Sequence, residues 1–145
     1  MLDTKTFASL MLSFSSMSNK KLQKICYYAY SLYLVQFGRR IAPAHFEAWV
    51  HGPVSREIYN NYKSYGWKDI PQNKEFLIVD NTIYKFAENI WEQYGSFSAE
   101  ELERMTHKEL PWLNARKGLK DYESSDIEID DNDILAHFSK EKTYS

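Results

Sequence analysis

Two short runs set chemically capable side chains beside tryptophan and proline. The first is Glu47-Ala48-Trp49-Val50-His51-Gly52-Pro53-Val54. The second is Met105-Thr106-His107-Lys108-Glu109-Leu110-Pro111-Trp112, ending at Ala115-Arg116. In the second, an imidazole, a carboxylate and a guanidinium lie within ten positions, enough to converge on a ligand and move a proton or hold an anion. The same residues also suit a tight helix-to-helix corner. Thr106 and His107 would satisfy carbonyls left over at a helix end. Pro111 would preset the next turn and Trp112 would fill the angle. Arg116 would bond Glu109 or a nearby carbonyl.

Other chemistry is sparse. His45, His51, His107 and His137 show no i, i+4 pair with an intervening glutamate, so no zincin pattern exists. There is no phosphate-binding glycine loop, dinucleotide fingerprint or nucleophile elbow. The single cysteine, Cys26, excludes an internal disulfide framework and a cysteine-based zinc site. It falls on an apolar helix stripe, which reads as packing rather than as a nucleophile. No cofactor, catalytic residue or metal ligand is assigned, and the chain does not read as an enzyme.

The elements that must position these runs follow from periodicity. Asn19–Gly38 is the longest apolar-periodic stretch: Leu22, Ile25, Cys26, Ala29, Leu32, Tyr33 and Phe37 form a broad stripe. Lys20, Lys21, Lys24 and Gln36 fall off it, and Tyr27, Tyr28, Tyr30 and Val35 widen it. This predicts a central core helix over about 19–37, with Ser18 or Asn19 as N-cap and Gly38 just past its end. Further helices are predicted at Asp3–Phe14, at Ser55–Tyr65 and from Asp80 or Asn81 to Tyr94. Others follow from the Ser98–Glu101 capping box to His107, over Trp112–Arg116 and over about 131–142. Phe46–Val50 reads as a short extended piece before a Gly-Pro turn, Phe76–Val79 as a short strand, and Ile127 with Ile129 as an edge strand. The expectation is a mainly α, compact fold of one domain, 1–145, with at most a small β-element.

At 145 residues the chain is long enough for a real core. Its net charge of −2 does not argue for nucleic acid. Ser18–Lys68 carries eight Lys or Arg against Glu47 and Glu57, whereas Leu119–Ser145 carries eight acidic residues against three lysines. Either two surfaces suit different partners, or opposite charges meet across one fold. Met1–Met17 lacks the basic start and unbroken apolar core of a signal peptide, and no apolar run approaches membrane-spanning length. A soluble cytoplasmic protein is expected. Aromatics make up 16% of residues, including eleven tyrosines and four tryptophans, which fits a protein-interaction module.

Three blocks in order, LQKICYYAYSLYLVQFGR, EAWVHGPVSREIYNNYKSYG and EQYGSFSAEELERMTHKELPWLNAR, resemble the Panacea domain, the family of SocA-like and phage-associated type II antitoxins. The resemblance covers about 19–116. Ile25-Cys26 stands where the family commonly has two leucines, and Met105 where it has one. The residues carrying the family signature are Leu22, Gln23, Lys24 and Tyr27; Trp49, Gly52, Pro53, Val54 and Tyr59; and Thr106, His107, Glu109, Pro111, Trp112 and Arg116. The resemblance implies a bacterial, plasmid or prophage antitoxin that binds a cognate toxin encoded nearby, or an adaptor that delivers its toxin to an ATP-dependent protease. Because partners vary while the signature is shared, these residues are expected to form a scaffold or common docking surface. The chain has no room for an added DNA-binding domain, so direct DNA binding is not expected. If the toxin site is basic, the acidic Asp121–Asp133 segment could cover it. Removing Asp121–Ser145 is then expected to cut neutralisation more than folding.

Overall fold

Asn19–Phe37 forms helix α2 because both ends are capped. The Ser18 hydroxyl accepts from Lys21 N, and Gly38 adopts the left-handed conformation with its amide bonded to Leu34 O. The structure, a computed structural model, describes residues 1–143, with side chains through Lys140. Helix α1, Thr4–Leu12, precedes α2 and is capped by Asp3. A two-residue strand β1, Met17–Ser18, pairs antiparallel with β4, Asp69–Ile70. Strands β2, Glu47–Trp49, and β3, Gly52–Val54, form a hairpin, followed by α3, Arg56–Tyr62. Helices α4, Asn81–Tyr94, α5, Ala99–His107, α6, Leu110–Ala115, and α7, Asp131–Thr143, complete the chain. The Ser98–Glu101 capping box has both of its bonds.

Helix α2 is the centre of this mainly α fold: α1, α3, α4, α5, α7 and β3 all pack on it. Its buried surface nearly encircles it, as a widely apolar helix requires. The tyrosines outside the stripe all meet other parts of this chain. Tyr27 packs edge-on against Phe46 and Phe138. Tyr28 stacks on Tyr94 at 4.4 Å, and Tyr30 packs on Phe46 and bonds Asp131.

Three sequence expectations are corrected. Phe76–Val79 belongs to no sheet among the described residues. The Trp67–Asn81 stretch instead lends Asp69–Ile70 to the serine-rich break before α2. Lys24, placed off the apolar stripe, is only 1% exposed. The acidic segment is no detachable cover. Ala48 N donates to Ile127 O and Ile129 N to Phe46 O, both at 2.8 Å, so 127–129 forms a third edge on the hairpin. Ile129, Ile134 and Phe138 are buried with the core.

Among the described residues, the two oppositely charged stretches meet at an Arg40–Asp131 pair. Arg40 donates to Asp131 Oδ2 through Nε and Nη2, at 3.0 and 2.7 Å, and Tyr30 donates to Oδ1. Asp121, Asp126, Glu128 and Asp130 stay exposed.

Candidate functional site: a hairpin held by two signature blocks

The Trp49–Gly52–Pro53 hairpin lies where α2, α5 and α6 converge. From α2, Gln23 clasps the end of the hairpin. Its Oε1 accepts from Ser55 N at 2.9 Å and its Nε2 donates to Ser55 O and to Asn19 Oδ1. Ser55 in turn caps α3. The next residue, Lys24, runs beneath the hairpin and donates through Nζ to Pro53 O at 3.3 Å. Gly52 has φ of 108°, and a Cβ there would sit 2.5 Å from Lys24 Cε and 3.1 Å from Thr106 Oγ1. Only glycine allows this backbone to cross the lysine stem.

From the other side, α6 grips the hairpin backbone. Trp112 Nε1 donates to Trp49 O at 2.9 Å. Arg116 Nη1 donates to Ala48 O at 2.9 Å, while Nη2 donates to Lys120 O and Glu123 O. The guanidinium also lies over the Trp112 ring, 5.1 Å from its centroid. His107 also stacks on Trp112, with ring centroids 4.0 Å apart and the planes 16° from parallel. Thr106 Oγ1 donates back to Glu103 O at 2.8 Å, closing the end of α5 as the sequence suggested.

Of the two readings the sequence offers here, ligand convergence or a packed corner, Glu109 and Arg116 follow the second. Glu109 accepts the Tyr28 hydroxyl at 3.0 and 3.1 Å, and Arg116 is spent on three main-chain carbonyls. Burial, with the neighbouring carboxylate, pushes the Tyr28 hydroxyl well above its ordinary range, and burial lowers the His107 imidazole. Among the described residues, no group of three or more His, Cys, Asp or Glu is placed to hold a metal ion. No helix is long and apolar enough to cross a membrane.

Outside the corner, the hairpin presents a groove of about 670 Å³ lined by Trp49, Val50, His51, Val54, Arg56, Ser124, Ser125 and Asp126. Glu47 organises its rim: Oε1 accepts from Trp49 Nε1 and Arg56 Nη2, both at 2.8 Å. Tyr59 packs edge-on against Trp49. Sequence reading singled out the run starting at Glu47 but did not pair Glu47 with Arg56, which looks like an ordinary surface charge. Their nine-residue spacing becomes adjacency only through the hairpin turn at Val50–His51. A second hollow, about 310 Å³, lies between Tyr30, Arg40, His45 and the start of α7.

Comparison with known proteins fits the placement of these blocks. The family model for the "Antitoxin SocA-like, Panacea domain" matches residues 22–113, more than half of the chain. The chain belongs to that family. Its match begins at Leu22 on α2 and ends one residue past Trp112, so it spans both arms of the hairpin corner. Arg116 lies just beyond. Antitoxin SocA of Caulobacter vibrioides (strain NA1000 / CB15N) is 29% identical over 128 residues, covering 76% of this chain and 68% of the relative. No solved structure matches the chain.

Lys24 makes this Panacea corner sensitive to pH. Burial, reinforced by Lys20 and opposed by Glu103, pulls its ammonium down to about 7. The folded value lies below the unfolded one, near 10.4, so folding favours the neutral amine. Stability from that preference is present at high pH and drains away as pH falls toward 7. Lys24→Met keeps the stem and removes the titration. Between pH 7 and 8.5, wild-type stability should rise relative to Lys24→Met by on the order of 1 kcal/mol per pH unit, read by urea denaturation. A pH-independent difference would contradict a lysine buried in this way.

Proposed function

We propose that this chain is the antitoxin of a type II toxin–antitoxin pair, and that it neutralises a cognate protein toxin by direct binding rather than by enzymatic chemistry. The observation that carries this reading is the family match over residues 22–113. It is supported by the bonds of Gln23, Lys24, Trp112 and Arg116, which hold the hairpin inside the fold. In this reading the signature residues are scaffold. They hold the hairpin on α2 while toxin specificity resides on exposed flanks, in the cytoplasm where both proteins are made.

The exposed acidic residues beside the hairpin, Asp121, Asp126 and Glu128, are the surface proposed for a toxin with a basic site. Growth arrest caused by the neighbouring reading frame expressed alone should be relieved by coexpressing this chain. The triple variant Asp121→Asn, Asp126→Asn, Glu128→Gln should weaken that relief about tenfold or more in required dose, with an unchanged melting temperature. A harmless neighbour would remove the proposal, and full relief by the triple variant would move the contact elsewhere. Delivery to an ATP-dependent protease, the alternative implied by the resemblance, differs in one readout. Toxin abundance falls with delivery and holds steady with blocking.

A further inference from the structure

Outside the corner, the hairpin offers a second surface that the scaffold does not use. Lys24, Trp112 and Arg116 hold its backbone from within. The groove of about 670 Å³ lies between the hairpin residues Trp49, Val50 and Val54 and the segment Ser124–Asp126. That volume accommodates one or two large side chains. Most of the groove's polar groups are already engaged. Trp49 Nε1 donates to Glu47 Oε1, and Arg56 donates to both Glu47 oxygens, through Nε at 3.2 Å and Nη2 at 2.8 Å. The Arg56 guanidinium also lies over the Trp49 ring, 5.3 Å from its centroid. His51 Nδ1 faces Glu103 at 3.4 Å. Of the charged residues lining the groove, Asp126 alone has no hydrogen-bond or ion-pair partner among the described residues, and it is exposed.

These engagements select the occupant. Glu47 neutralises Arg56, so the groove is not built to hold an anion. A bare cation is not favoured on the Trp49 ring either, because a guanidinium already sits there. What remains is the apolar surface of Trp49, Val50 and Val54 beside one free carboxylate. Asp121 and Glu128, exposed on the same stretch of chain, add to the negative potential there. The complement is a large apolar side chain next to a lysine or arginine on a protein surface. The apolar group fills the groove and the cation meets Asp126. We infer that this groove docks such an apolar–basic pair of the cognate toxin, with Asp126 as its ion-pair partner. The inference rests on the antitoxin reading and names the surface through which that reading acts. Trp49 then holds the hairpin through its carbonyl and offers its ring to the toxin.

Isothermal titration calorimetry of the full chain against the purified protein encoded by the neighbouring reading frame reads each half of the pair. Val50→Asn removes apolar surface without changing charge and suits the turn at Val50–His51. It should weaken binding about fivefold. Asp126→Lys should weaken binding about tenfold or more, with much of the loss screened away at high salt. Glu88→Lys, at an exposed position of α4 outside the groove, makes the same change in net charge and should shift affinity by less than about twofold. Melting temperature checks that each variant is folded. Wild-type affinity in either groove variant, or equal weakening by Glu88→Lys, overturns the inference and leaves the antitoxin reading standing. A neighbour-encoded protein that does not bind the wild-type chain removes that reading, and the inference with it.

Discussion

Removing residues 119–145 should abolish cooperative folding. The truncated chain would lose Ile129, Ile134 and Phe138, all buried in the core. Each fully buried apolar side chain of this size contributes about 1.5–3 kcal/mol. Together they approach the roughly 5–15 kcal/mol by which a domain of ordinary stability stays folded. The truncation also takes the edge at 127–129 from the hairpin and the Lys120 and Glu123 carbonyls from Arg116. Leaving the buried guanidinium with only the Ala48 carbonyl adds its own cost. Near-ultraviolet circular dichroism should collapse, and no sigmoidal melt should remain. A truncated protein that still melts cooperatively within a few degrees of the full chain would show that the acidic segment is an appendage after all.

Arg116→Ala should be the most damaging single substitution in the hairpin corner. Arg116 is 5% exposed and spans main-chain carbonyls of Ala48 in the hairpin and of Lys120 and Glu123 in the turn after α6. Its loss strands those carbonyls and unstacks Trp112. The expected cost is about 3–5 kcal/mol, or roughly ten degrees or more in melting temperature for a chain of this length. Arg116→Lys should recover only part of this, because an ammonium cannot present the planar fork that reaches all three carbonyls. Neutralisation should fall in proportion to the folded fraction and recover at temperatures where the variant is folded. Neutralisation lost at unchanged stability would place Arg116 at a toxin contact instead.

Local signals were readable in the sequence, and distant ones were not. The periodicity of Asn19–Phe37, the Ser18 and Ser98 caps and the Gly38 terminus all act within one or two helical turns, and each stands where its residues place it. The extended Phe46–Val50 piece supplies the first strand of a hairpin, but the turn falls at Val50–His51, and Gly52-Pro53, expected as the turn, lie in the second strand. Lys24 was misplaced because a lysine reads as surface. Its burial depends on a missing side chain at Gly52, far along the chain. The pairing of Met17–Ser18 with Asp69–Ile70 is two residues long, too short to leave a pattern. In the site, a carbonyl partner for Arg116 could be anticipated from residue type, whereas the bond from Trp112 to Trp49 O, 63 positions away, could not. Nor could the capture of Glu109 by Tyr28, 81 positions away. A hydroxyl and a carboxylate carry no mark of each other until α2 and α6 are brought together.

The most direct test of the account is to purify the protein encoded by the neighbouring reading frame and titrate it with this chain, following complex formation by light scattering and toxin activity together. The account predicts a stoichiometric complex in which toxin activity disappears as the complex fills, with no protease or cofactor added. Toxin that retains full activity and elutes separately from a folded, intact antitoxin would contradict it.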